Sequence, residues 1–204
     1  MSDTQLQLFE FYDDPLLRII ENGFPENEFY DLEYKSAQGG FPKEMWKTYS
    51  AFANTNTGII VLGISEKKGK ISIDGLNEEQ IVAYQKQFWD DCNNPNTISA
   101  NLLTKNDVRE IIYKEKKLLV IRVPFAERTK RPVHLTKNPF GNTYKRNHEG
   151  DYRCTDDEVK RMIADSSAEL KRDSYILEHY TLDDIDKGTL AKFRQLFFLL
   201  HHLY

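Results

Sequence analysis

Two glutamates and a lysine stand close together near the amino terminus, in the stretch EFYDLEYKS: Glu28, Glu33 and Lys35. Carboxylates that converge within a few ångströms bind hard divalent cations such as Mg2+ or Mn2+ through oxygen. An ion held that way activates water and offsets the charge that builds on a phosphodiester under attack. Glu33 and Lys35 are two residues apart, so on an extended strand they share a face, with the lysine placed to meet a phosphate oxygen beside the glutamate. The same alternation of charge is an ordinary pattern for a solvent-facing strand, and spacing alone leaves both readings open.

A second group of chemically capable residues lies late in the chain. Between Arg128 and Arg153 there are seven lysines and arginines, Arg131, Lys137, Lys145, Arg146 and Arg153 among them, against two acids, Glu149 and Asp151. Phe140, Tyr144 and Tyr152 are interleaved with these cations. Positive charge for phosphates together with flat rings for bases is the footprint of a nucleic-acid contact. A solvated hairpin has the same composition, and that reading also stands.

These residues need elements to position them. Residues 14–22, DPLLRIIEN, place four aliphatic side chains near helical spacing behind Asp14, and Gly23 ends that short helix. The segment around EFYDLEYKS is extended, with Leu32 and Tyr34 on one face and Glu33 and Lys35 on the other. PKEMWKTYSAFAN reads as a helix with Pro42 as its first residue and Met45, Trp46, Tyr49, Phe52 and Ala53 inward. Ser50, Ala51 and Ala53 keep that helix slim, and Asn54 caps it or ties the turn that follows. IIVLGIS is a continuous apolar run, expected to be one strand buried on both faces. EKKGK then turns into a second strand, ISIDGL.

Asn77 caps a helix reaching about Cys92, with Ile81, Tyr84, Phe88 and Trp89 inward. DVREIIYK and LLVIRVPFA form an antiparallel hairpin, and PVHL and NTYKRN two further strands. Thr155 and Glu158 make a capping-box pattern ahead of a final amphipathic helix. This order is α+β, a mixed sheet with packed helices, rather than a repeating βαβ array. A domain over residues 14–167 is expected, followed over 168–204 by a charged linker and an apolar helical tail, AKFRQLFFLLHHLY.

Composition narrows the class. Of 204 residues, 40% are hydrophobic and 12% aromatic, enough for a packed core. The net charge of −4 argues against a chain coated in positive charge, so a basic contact must be local. Two distant cysteines, Cys92 and Cys154, suit neither a disulfide framework nor a zinc cage. No P-loop, dinucleotide fingerprint, HExxH or nucleophile elbow occurs. The acidic opening is unlike a secretory leader and no apolar run is long enough to span a bilayer, so a cytoplasmic location is expected, with no membrane partner.

Three segments in sequence, LEYKS, SAFANTNTGIIVLGIS and TYKRNHEGDYRCTDDEV, resemble the Schlafen-type AlbA_2 domain, also called the divergent AAA-4 module. The resemblance covers roughly residues 14–167 and implies a single-lobed domain related to the Alba nucleic-acid-binding fold. In Schlafen proteins an acidic trio forms a metal-dependent endoribonuclease site acting on structured RNA such as tRNA. Its first two members match Glu28 and Glu33, and the third position falls on Glu66, where Schlafens have aspartate; Asp74 is a weaker substitute. The resemblance therefore implies Mg2+ or Mn2+ at Glu28, Glu33 and Glu66, Lys35 assisting on phosphate, and RNA or DNA as partner. Animal Schlafens pair two such lobes in one chain, so a single lobe implies a homodimer. Residues 185–204 are then a dimer helix or the start of a contact to a downstream domain or partner protein. A module that binds nucleic acid without cleaving it, and one that binds only protein, are the alternatives.

Overall fold

The computed structural model describes residues 31–67, 70–169 and 186–201. Its elements are β1 (Leu32–Lys35), α1 (Met45–Thr55), β2 (Gly58–Leu62), β3 (Ile64–Lys67), β4 (Lys70–Ile73), α2 (Glu78–Cys92), β5 (Val108–Tyr113), β6 (Lys116–Val123), β7 (Tyr144–Asn147), β8 (Gly150–Arg153), α3 (Asp156–Glu169) and α4 (Lys187–His201). The helix expected at 14–22 lies outside the described residues, as does Glu28. The chain divides into two units, Met1–Glu169 and Leu170–Tyr204. The first is α+β; in the second the described element is α4.

One sheet has the strand order β1-β2-β6-β5, and β3–β4 and β7–β8 are separate hairpins. β1 runs parallel to β2 with Glu33 opposite Ile60, and β2 runs antiparallel to β6 with Ile60 opposite Ile121. Alternation then sorts the side chains. Leu32, Tyr34, Ile59, Val61, Leu118 and Val120 form one apolar layer, joined by Ile64 of β3. Ile60, Leu62, Leu119 and Ile121 turn the other way, onto α1 and α2. A strand covered on both faces must be apolar throughout, which is why β2 reads as an unbroken run.

The structure departs from the sequence reading in four places. IIVLGIS is two strands, because Gly63 has φ 101, a left-handed conformation that ends β2 and redirects the chain into β3. Helix α1 starts at Met45, after a turn in which the Met45 N–H donates to the Pro42 carbonyl at 3.0 Å. PVHL forms no strand and contributes only isolated bridges, His134 to Thr143 and Leu135 to Ile98. The partner of β7 is instead β8, the short GDYR segment, whose glycine and aspartate carry little strand propensity.

The caps follow expectation. The Asn77 side chain accepts from the Gln80 N–H at 2.8 Å while Gln80 accepts from Asn77 at 2.9 Å. Thr155 and Glu158 exchange the equivalent pair of bonds at the start of α3. Among the described residues, no helix is long and apolar enough to cross a membrane.

Both cysteines are buried free thiols, and burial pushes each up to about 11 from 9.0. Burial likewise pushes the Tyr49 phenol up. A group that stays protonated in the fold but ionises when unfolded contributes stability below its unfolded pKa and loses it as pH rises. Urea midpoints are therefore expected to fall between about pH 9 and pH 11. The fall should be shallower in a Cys92→Ala/Cys154→Ala variant; equal slopes in both proteins would overturn the assignment.

Candidate functional site

Helix α1 is buried almost all round: Met45, Trp46 and Thr48 through Asn54 are inaccessible. One side packs apolar rings on the sheet. The other carries Thr48, Ser50, Asn54 and Thr55, and these polar groups hold the β7–β8 hairpin. Ser50 Oγ accepts from the Tyr144 N–H at 3.0 Å and donates to the Val133 carbonyl at 2.7 Å. The Asn54 amide donates to the Val133 and Tyr144 carbonyls at 2.7 and 3.0 Å and accepts from the Val133 N–H at 2.9 Å. Thr55 Oγ1 accepts from the Arg146 N–H at 2.9 Å. The edge of β7 not paired with β8 is thus satisfied by side chains of a helix. The AFANT segment works as a fastening.

That fastening delivers Arg146 to β1. Its guanidinium is 1% exposed and Nη1 lies 2.9 Å from Glu33 Oε2 and 3.0 Å from Asp151 Oδ1. Nη2 donates to the Leu32 carbonyl at 3.3 Å, and the group sits 5.1 Å from the centroid of the Phe52 ring. Asp151 also accepts from Thr48 Oγ1 at 2.7 Å. Lys35 bonds the other oxygen of Glu33, Oε1. The Arg146 contact with Glu33 Oε2 is one of charge without an aligned N–H, so that buried oxygen accepts no hydrogen bond. Coulomb attraction needs no such alignment, and the pair holds as an ion contact.

The remaining sequence-selected residues fall in several places. Glu66 is exposed on β3, opposite Ile71 in the ladder, and its carboxylate has no hydrogen-bond or ion-pair partner among the described residues. Asp74 reaches the end of β1, accepting from Ser36 Oγ at 3.2 Å. Glu28 is outside the described residues. Among those described, no three His, Cys, Asp or Glu side chains gather closely enough to hold a metal ion. Glu33 offers one buried oxygen; the described residues do not complete a site around it.

Of the basic set, Arg146 points inward, whereas Lys137 and Arg153 are exposed. Arg153 Nε donates to the Tyr144 hydroxyl at 3.3 Å, and that bond holds the guanidinium charge more firmly than usual. Tyr144 itself is buried, so its ring is core. Lys145 bonds Glu158 of α3, which raises the lysine and lowers the carboxylate from their ordinary values. Arg131 is half-buried and stacks 4.5 Å above the Phe125 ring centroid. Sequence reasoning missed Asp151 as a partner of Arg146, and Thr48 as the donor that holds Asp151; the signal available was the cross-strand alternation of an arginine and an aspartate in one hairpin, opposite each other in register.

A comparison with curated proteins found no match. Among solved structures, the N-terminal domain of a RecG-related protein from Nitrosomonas europaea is similar at 22% identity and a TM-score of 0.45, over 69% of this chain and 90% of that one. The family model described as Schlafen, AlbA_2 matches residues 28–155, which contain every described element from β1 through β8. That match takes in well over half of the chain, and with it the LEYK strand, the AFANT fastening and the YKR strand: the chain belongs to the Schlafen AlbA_2 family.

Proposed function

We propose that the first unit is a nucleic-acid-binding domain whose contact surface is the β7–β8 hairpin and the loop from Arg131 to Lys137 leading into it. Family membership supports this reading, and one observation carries it on this chain. Asp151 of the hairpin and Glu33 beneath it turn inward, held by Arg146 and Lys35, so that of the acids in this stretch Glu149 alone is exposed, beside the outward Lys137 and Arg153. Binding by such a surface releases counterions from phosphates. Lys137→Ala and Arg153→Ala are each expected to weaken RNA or DNA binding and to flatten its dependence on salt by about one unit of slope. Affinity indifferent to salt and to both side chains would rule the reading out.

A second reading, metal-dependent endoribonuclease activity on structured RNA, is favoured by Glu33 and Lys35 standing side by side on β1, although Glu33 Oε2 is held in an ion contact with Arg146 that a metal would have to displace. In that reading Mg2+ or Mn2+ is recruited with Glu28 and Glu66, and Lys35 faces the phosphate. Incubation of the full chain with tRNA and Mn2+ tests it, beside Glu33→Gln and Glu28→Gln. Cleavage lost in both variants with RNA affinity kept supports catalysis. No cleavage by the wild type, or cleavage surviving both changes, leaves binding alone.

A further inference from the structure

Tyr152 is the most exposed aromatic side chain of the hairpin, at 56%. It lies directly opposite Lys145 in the β7–β8 register, on the face turned away from Arg146 and Asp151. The tip of its ring rests on Gly150, two residues back along the same strand. A Cβ built on Gly150 would stand 2.5 Å from Tyr152 Cε2 and 2.9 Å from both Cζ and the hydroxyl. Any other residue at 150 would therefore push the ring off its seat. The hydroxyl has no hydrogen-bond partner among the described residues.

An aromatic ring more than half in water, its tip lying over Gly150, contributes little to the core. It is a flat apolar surface turned to solvent. Neighbouring groups say what fits there. Lys145 stands across the ladder on the same face, where it also bonds Glu158, and Arg153 follows in the chain, exposed at the hairpin edge but turned to the other face. A planar, apolar group attached to a phosphate backbone meets both conditions. In a duplex the bases are stacked on each other and offer no free face; in an unpaired strand they do.

We propose that Tyr152 is a stacking platform for an unpaired nucleobase, so that this surface takes single-stranded or looped nucleic acid in preference to a continuous duplex. The proposal rests on the nucleic-acid reading above and adds the class of ligand to it. The bare Gly150 leaves room for the ring to lie close over the strand. The Tyr152 hydroxyl is not required.

The test is fluorescence anisotropy of the full chain with a labelled single-stranded oligonucleotide and with a duplex of equal length. Tyr152→Ala is expected to lose about tenfold in affinity for the single strand, with little change for the duplex. Tyr152→Phe should bind as the wild type does. Quenching of 2-aminopurine in the single strand should appear with wild type and vanish with Tyr152→Ala. Tyr152 lies outside the core, and circular dichroism checks that the variant is folded. Wild-type binding that Tyr152→Ala leaves unchanged, or weakens equally for both ligands, overturns the platform while the nucleic-acid reading stands. Absence of binding to either ligand by the wild type overturns both.

Discussion

Arg146→Ala is expected to destabilise the domain by about 3–5 kcal/mol, the range for breaking a buried ion pair from one side. The arginine is surrounded by Glu33, Asp151, the Leu32 carbonyl and the Phe52 ring, with 1% of its side chain exposed. Truncation leaves Glu33, itself buried, with Lys35 alone, and Asp151 with Thr48 alone. Two carboxylates drawn out of water then face each other's field across an emptied space. The cost is one of uncompensated charge, and it predicts its own remedy. Neutralising all three residues together, in Glu33→Gln/Arg146→Met/Asp151→Asn, should recover much of the loss, because a buried ion network replaced whole by neutral groups of similar size is often nearly neutral. Urea denaturation reads both: a lowered midpoint with an unchanged slope for the single variant, and a largely restored midpoint for the triple. A single variant as stable as wild type would show that Arg146 does not hold β7 to β1.

The same experiment separates the two uses open to an arginine in YKRN. A surface arginine that touches phosphate costs affinity and its salt dependence when removed, and costs stability little. Arg146 should do the reverse, while Arg153, exposed at the end of the same hairpin, should behave as the phosphate contact.

Much of this framework was legible in the sequence, and the reasons differ by element. The Asn77 and Thr155–Glu158 caps are local chemistry, satisfied within a few residues, so spacing alone finds them. The alternation of Leu32, Glu33, Tyr34 and Lys35 gives the two faces of β1 correctly. What alternation does not give is burial of the polar face. Glu33 looks like a solvent charge until the hairpin more than a hundred residues later lays Arg146 across it. The break at Gly63 hides inside an apolar run because the residues on either side are both buried, for different layers. PVHL fails as a strand for a long-range reason too. The backbone N–H and carbonyl of Val133 are taken by the side chain of Asn54, seventy-nine residues earlier, and are not available to a ladder. Tyr152 and Tyr144 have identical side chains eight residues apart, yet one is core and the other surface; their opposite faces in the hairpin register decide it.

Asn54 carries the second large prediction. Asn54→Ala is expected to cost about 3 kcal/mol, from the buried groups it leaves unpaired. The Val133 N–H and the Tyr144 carbonyl lose these side-chain bonds, while the Val133 carbonyl keeps Ser50. The sharper comparison is Asn54→Asp, which matches the native side chain in size and keeps an acceptor for the Val133 N–H. It replaces the amide donor with an oxygen facing two carbonyls, and adds a charge that burial disfavours. If Asn54 mainly filled space, aspartate would be tolerated better than alanine. Because it works as a donor clamp, aspartate should be at least as destabilising as alanine. Ser50 shares the Val133 carbonyl and the Tyr144 peptide with it, so Ser50→Ala combined with Asn54→Ala should depart from additivity in a double-mutant cycle. Stability and nucleic-acid affinity should fall together in these variants, since the clamp sets the position of β7 and with it the face that carries Lys145 and Tyr152. Loss of affinity at full stability would instead place Asn54 at the ligand, and would count against a purely structural role for the AFANT segment.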